Sequence, residues 1–340
     1  MQAKVKTGGN EILMGIRTTL LELESATKVE LSEKLKISFP TISKFLAQME
    51  KEGEIFSIGL DESSGGRRAN RYKYNREYML GLAIFLEKTE TNYVIFNCAG
   101  EVKKQGQVPS VLVDDGLDAL TASIEQLIAN HPKISSIAVG VPGSVKNGTV
   151  FYIPGYEAYQ NFNMKSYYET HFSIPVVVEN DMNAAVLGYH QMNKFKNHQS
   201  LVYLYSGQNG PGAGFIVNGD VVRGNTFFAG EISFVPLYSD RNFRDATENR
   251  DGQKAGPLFP VDQGDAISRL LVSFAAIINP HTVVFSKEDV DEAMIERIAR
   301  SSAAYIPAEH LPHLTISDWK QDYLYGLQSL GLHLMLETAK

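Results

Sequence analysis

Twice along the chain the sequence runs strand, strand, helix, strand. Residues 80–85 and 92–97 read as two strands, residues 116–131 as a helix and residues 134–141 as a further apolar strand. After residue 199 the order returns, with short strands at 200–205, 214–217 and Val221-Val222, an apolar helix at 266–278 and a buried strand at 282–285. Strands alternating with helices predict an α/β architecture, and the repetition predicts two such units with a cleft between them. The duplication lies in the order of elements, since no residue-level repeat accompanies it.

Residues 1–76 have a different texture. Ile12, Leu13, Ile16, Leu20 and Leu23 recur at three- and four-residue steps, which predicts a helix over residues 11–23. A second helix is expected over residues 26–36, after the turn Glu24-Ser25, with Val29, Leu31 and Leu35 facing inward. Ser38 can cap a third helix, and Pro40 is tolerated in its first turn because the missing N–H has no partner there anyway. That helix runs to about Glu52 and stops at Gly53. Residues 54–58 and 71–74 then alternate like two strands around the loop Ser63-Ser64-Gly65-Gly66-Arg67-Arg68.

Three short helices followed by a hairpin is the order of a winged helix-turn-helix. In such a unit the start of the third helix enters the major groove of DNA, which nominates Pro40, Thr41, Ser43 and Lys44. The hydroxyls of Thr41 and Ser43 suit phosphates or bases, and Lys44 suits phosphate. Arg67 and Arg68, at the tip of the wing, suit an adjacent minor groove, where weakly hydrated guanidinium groups favour narrow, negative channels. Taken singly these are ordinary solvated surface groups, Lys44 above all. The order of the elements favours DNA, and a winged helix that binds only protein is the competing reading.

At 340 residues the chain is long enough for two or three domains. The expected division is a winged helix-turn-helix at 1–76 and a sensing domain of two α/β lobes at 77–340. The formal charge of −7 is unevenly spread: residues 1–76 carry 13 Lys+Arg against 10 Asp+Glu, or +3, leaving −10 for the rest. Cys98 is the only cysteine, so no disulfide framework is possible and a reducing, cytoplasmic location is expected. No apolar run reaches the length of a membrane helix, and no membrane partner is expected.

The stretch from Ile12 to Asn75 resembles the DNA-binding region of the ROK family (repressors, open reading frames and sugar kinases). Ile37-Ser38-Phe39-Pro40-Thr41-Ile42-Ser43 stands where that family has its recognition helix, and Gly65-Gly66-Arg67-Arg68 where it has its wing. The resemblance continues through Ala138-Val139-Gly140-Val141-Pro142-Gly143, Tyr159-Gln160-Asn161-Phe162, Val178-Glu179-Asn180-Asp181-Met182-Asn183-Ala184-Ala185 and Asn279-Pro280-His281-Thr282-Val283-Val284-Phe285. It implies a duplicated actin-like, ribonuclease-H-like sugar kinase fold. It also implies a sugar site that includes Asn161, Asn180, Asp181 and Glu231, with Asp181 as the base if the protein is a kinase. A carboxylate can take a hydroxyl proton, and an Asn side chain both donates and accepts. Without the surrounding matches, Asn180 and Asp181 would read as a strand-to-helix turn with a cap.

Departures from the family then weigh against catalysis. The family's first phosphate loop, Asp-x-Gly-x-Thr, is replaced by Leu82-Ala83-Ile84-Phe85-Leu86-Glu87-Lys88-Thr89. Its Glu-Ile-Gly-His becomes Glu231-Ile232-Ser233-Phe234, and its three-cysteine zinc motif is absent. Ser286-Lys287 replace glycines near the nucleotide. The glycine-rich segment from Gly207 to Gly214 could approach phosphates, but a tight hairpin explains it equally well. His310 and His313 lie close in sequence without a carboxylate or thiol partner and are expected as surface histidines.

The sequence therefore predicts a non-enzymatic repressor of carbohydrate genes, with no metal and no cofactor. Its expected partners are a double-stranded DNA operator, a sugar or sugar-phosphate effector, and further copies of itself in a homodimer or homotetramer. An ATP-dependent sugar kinase and a DNA-binding dimer blind to any ligand are the alternatives.

Overall fold

The structure, a computed structural model, describes residues 8–60, 69–112, 116–153, 156, 159–196, 198–207, 210–247 and 264–338. The chain opens with α1 (Gly9–Glu22), the short strand β1 (Ala26–Thr27), α2 (Lys28–Leu35), α3 (Phe39–Lys51), β2 (Ile55–Leu60) and β3 (Asn70–Tyr74). The three strands pair antiparallel in the order β1-β3-β2. Each helix start has a local cause. Thr27 and Glu30 form a reciprocal capping box at α2, and Ser38 Oγ accepts the Thr41 amide at 3.4 Å with Pro40 in the first turn of α3.

Two positions depart from the expected helices, Leu23 as the end of the first and Val29 as an inward residue of the second. Leu23 is 44% exposed because α1 ends at Glu22, and Glu24 turns the chain away with φ at 61°. Val29 is 47% exposed because Ala26 and Thr27 pair with β3 and α2 starts only at Lys28. Leu31, two residues on, is fully buried, and positions two apart lie on opposite sides of a helix.

The core of this N-terminal unit, with Ile16, Leu20, Leu31, Ile42, Leu46 and Met49 fully buried, contains a charge. Arg17 Nε lies 2.5 Å from Glu54 Oε1, and both side chains are buried. The Tyr74 hydroxyl donates to the same carboxylate at 2.8 Å.

A first α/β lobe follows: β4 (Leu80–Leu86), β5 (Glu90–Asn97), β6 (Val102–Pro109), α4 (Gly116–Asn130), β7 (Ile134–Val141), β8 (Ser144–Lys146), β9 (Thr149–Tyr152), β10 (Phe162–Asn163), α5 (Met164–Phe172), β11 (Val176–Asn180) and α6 (Asp181–Met192). The second lobe holds β12 (Leu201–Gly207), β13 (Gly210–Val217), β14 (Asp220–Val221), α7 (Phe243–Thr247), α8 (Gly264–Ile277), β15 (Thr282–Ser286), α9 (Glu292–Ser302), β16 (His313–Ser317) and α10 (Trp319–Thr338). The main sheets have the orders β6-β5-β4-β7-β11 and β14-β13-β12-β15-β16. In each, three strands form an antiparallel meander and the next two join parallel to the first strand. The duplication expected from the sequence is thus present position by position.

Two helices cross between lobes. α6 continues from β11 but packs on β12 and β13, whereas α10 continues from β16 but packs on β4 and β7. They meet backbone to backbone: a Cβ on Gly188 would lie 1.9 Å from the Asp322 carbonyl oxygen, and one on Gly326 at 1.9 Å from that of Ala184. The glycine-rich segment after β12 has the same kind of cause. Gly207 pairs with Gly210 across a hairpin, and the backbone of α6 leaves no room for a Cβ at Gly214, which would lie 2.2 Å from the Met182 carbonyl oxygen.

No helix among the described residues is long and apolar enough to cross a membrane.

Candidate ligand cavity between the lobes

In open α/β sheets, ligands bind outside the carboxyl ends of the parallel strands. Here those ends converge on one cavity of about 340 Å³. Glu87 follows β4, Pro142 and Gly143 follow β7, and Asn180 and Asp181 mark the junction of β11 with α6. Tyr205 and Gly207 end β12, and Trp319 begins α10. The segment from Thr226 to Glu231 closes one side, with Phe234 at its edge.

Asn180 is the cap of α6, its Oδ1 accepting the Asn183 amide at 3.0 Å while its Nδ2 donates to Gly143 O at 3.1 Å and to Asp181 Oδ1 at 2.9 Å. Asp181 Oδ1 also accepts the Met182 amide at 2.8 Å, so one carboxylate oxygen is fixed. The other accepts no hydrogen bond among the described residues. Burial, reinforced by the charges of Glu231 and Glu87, pushes the Asp181 carboxyl up to about 7, although the Met182 amide and Asn180 oppose the shift. Glu231 accepts from Ser144 Oγ at 3.2 Å and is raised by burial.

Glu87 is raised to about 7, again chiefly by burial, against the opposing charge of Lys320 at 3.4 Å. Its neighbour Glu90 is held down to about 2 by hydrogen bonds from Asn92 and Lys320. Glu179 lies beside Asp181 in sequence but is engaged elsewhere. Its carboxylate accepts the Asn180 amide and Asn183 Nδ2 and is clasped by Arg223, which ties the segment closing the cavity to β11.

The structure thus brings Asn180, Asp181 and Glu231 together around the cavity. Asn161 is not among the lining residues; it is exposed, in a left-handed turn with φ at 56°. Pro40 and Lys44 are exposed on the first turns of α3, and Thr41 and Ser43 are half-buried beside them. Arg67 and Arg68 lie outside the described residues. Among the described residues, no group of three or more His, Cys, Asp or Glu side chains is placed to hold a metal.

The sequence pattern did not point to Trp319, Tyr205, Phe228 or Phe151 as cavity residues. The indole of Trp319 stacks on Tyr205 at 4.1 Å to make an aromatic wall, and Phe228 and Phe234 stand 5.4 Å apart. Glu87 was visible only as a departure from a phosphate loop. An apolar strand running straight into a carboxylate at its carboxyl end was the available signal.

Two lobes of identical strand order, exchanging helices across a ligand-sized cleft, define the actin-like, sugar-kinase type of fold. Residues 82–247 match the model of the ROK family.

A xylose repressor of Caldicellulosiruptor bescii is 28% identical over 236 residues, covering 67% of this chain and 58% of that protein. The chain therefore spans less than two thirds of the length of the repressors it matches. A β-glucoside kinase of Listeria innocua is 32% identical over 133 residues, 38% of this chain and 44% of that one. Among solved structures, a ROK family transcriptional regulator described as a homologue of the E. coli MLC protein shares the fold, with a TM-score of 0.72 at 19% identity. That match covers 96% of this chain and 98% of that one.

Proposed function

We propose that this chain is a transcriptional repressor that binds operator DNA through residues 1–76, arranged as a winged helix-turn-helix, and senses a sugar or sugar derivative in the cavity of residues 77–340. The carrying observation is the physical link between the two. α10 starts in the cavity wall with Trp319 and ends where the Leu336 carbonyl accepts Arg17 Nη1 at 3.1 Å. Its 20 residues span roughly 30 Å at about 1.5 Å per residue. A ligand that displaces Trp319 or Lys320 acts on one end of a rod whose other end is held by the core of the DNA-binding unit. Coupling requires that the ligand prefer one of the two arrangements.

The protein binds DNA as a homodimer or homotetramer, placing two α3 helices in two half-sites. Thr41, Ser43 and Lys44 contact DNA from α3, with Pro40 setting its first turn, and Arg67 and Arg68 do so from the wing. Asn180, Asp181 and Glu231 hold the sugar, and Asn161 approaches it only if its loop moves. An electrophoretic shift on the gene's own upstream region, titrated with sugars, tests both halves. Absence of salt-sensitive binding to any fragment of that region refutes the repressor reading.

The kinase relatives and the free oxygen of Asp181 favour a second reading, an ATP-dependent sugar kinase. Against it stands Glu87, a buried carboxylate where the resemblance places a phosphate loop. ATP turnover with a panel of hexoses that is lost in Asp181→Asn supports the kinase reading.

A further inference from the structure

The cavity has two chemically distinct parts. Its inner wall carries three carboxyl groups, Glu87, Asp181 and Glu231, and Lys88 is the cationic side chain among the described lining residues. Two lining residues bury polar atoms without a hydrogen-bond partner among the described residues, Glu87 Oε2 and Trp319 Nε1. Lys320 approaches Glu87 Oε2 to 3.4 Å, and Glu90 lies beside the same carboxyl group. The reachable open acceptor is the second carboxylate oxygen of Asp181, which accepts no hydrogen bond among the described residues and to which a ligand hydroxyl can donate.

The mouth is apolar. Phe228 is 53% exposed and Phe234 is 64% exposed, and both line the same cavity together with Phe151 and Phe227. Phe227 holds φ at 61°, a conformation that a bulky side chain rarely adopts, so the turn presenting these rings is maintained against local strain. Large rings left in water beside a polar pocket mark a surface that a ligand covers. The size agrees, since about 340 Å³ lies within the range of roughly 300–1,000 Å³ typical of pockets for drug-sized ligands, and a single sugar ring fills only part of it.

We propose that the cavity takes an uncharged glycoside of two rings, its inner ring bonded to Glu87, Asp181 and Glu231 and its outer ring stacked on Phe228 and Phe234, and that Glu87 excludes the phosphorylated form. This rests on the sugar-sensing reading above and narrows it. A phosphate group would set negative charge against three carboxyl groups, an opposition that is partial near pH 7, where burial leaves Asp181 and Glu87 only partly ionised, and grows as the pH rises. A second sugar and an aryl aglycone serve equally as the outer ring, because the Phe rings offer flat apolar faces and no directional hydrogen bond.

Calorimetric titration of the full chain at neutral pH separates the outcomes. The probes are glucose and xylose, cellobiose and xylobiose, 4-nitrophenyl-β-D-glucoside, glucosamine and glucose 6-phosphate. At least one two-ring probe is expected to bind about tenfold more tightly than its one-ring parent, the order of magnitude of one aromatic stacking contact. The double variant Phe228→Ala/Phe234→Ala, at exposed positions, is expected to bring the two-ring affinity down to that of the one-ring parent. Glucose 6-phosphate is expected to bind at least tenfold more weakly than glucose, with the gap narrowing in Glu87→Gln.

Equal affinity for one and two rings, an unchanged gain in the Phe variant, tighter binding of glucosamine than glucose, or tighter binding of the phosphate each overturns the inference while leaving a sugar sensor in place. No binding of any probe removes the sugar-sensing reading itself.

Discussion

Replacing Arg17 by Met probes the junction on which the proposed coupling depends. The guanidinium is 1% exposed, donates to Glu54 at 2.5 Å and reaches the Leu336 carbonyl at 3.1 Å. The substitution leaves a wholly buried carboxylate facing the Tyr74 hydroxyl, with its cationic partner gone. Removing one member of a buried ion pair costs about 3–5 kcal/mol, because the other stays behind uncompensated. With a urea dependence of about 1–3 kcal/mol per molar, the midpoint for the N-terminal unit falls by about 1–5 M.

Trp319 is the only tryptophan and lies on α10 in the cavity wall, so its fluorescence reports the lobes while far-UV circular dichroism reports all helices. Arg17→Met is expected to separate the two curves, ellipticity falling first. Adding Glu54→Leu removes the stranded charge and is expected to recover part of the loss, leaving about 1–3 kcal/mol for the donor and acceptor left unpaired. If the double variant is as unstable as the two single losses summed, the charge-pair reasoning is wrong.

Other expectations follow from the same geometry. Asp181 and Glu87 titrate near 7 in the fold but near the ordinary carboxylate value when unfolded, so the native state binds more protons between about 4 and 7 and stability falls as pH rises through that window. Asp181→Asn should therefore raise the melting temperature at pH 8 and change it little at pH 4; an equal effect at both excludes the burial of that charge. Gly188→Ala drives a methyl group into the Asp322 carbonyl and should cost about 1–3 kcal/mol, read as a lower urea midpoint of Trp319 fluorescence. Lys44→Glu should weaken operator binding at least tenfold at low salt and flatten its salt dependence, and unchanged affinity would remove α3 from the DNA interface.

Elements with a clear periodicity or a capping residue were legible in the sequence. Ser38 with Pro40 located the start of α3, and the apolar run of residues 134–141 gave β7 residue for residue. What could not be read lies where burial and pattern part company. β6 is exposed almost throughout and contains Lys103 and Lys104, so it shows no apolar alternation; only its pairing with β5 makes it a strand. α10 has the opposite difficulty. Wedged between α6 and the first sheet, it buries residues as different as Trp319, Asp322, Gly326 and Gln328, and no single apolar stripe announces a helix. The polar half of the cavity was partly visible in Asn180, Asp181 and Glu231. The aromatic half depends on the turn at Phe227 and on α10 meeting β12, neither of which leaves a local signature.

The bond from Arg17 to the Leu336 carbonyl joins residues 319 positions apart. At a synthesis rate of about 5–20 residues per second, the N-terminal helices emerge roughly 15–60 s before their seat on α10 exists. During that interval a nascent chain carries α3 without the rod that would report on the cavity. On the proposed reading, ligand control of DNA binding is therefore acquired late in translation, and a chain cut short before Leu336 would bear a reading head with no input.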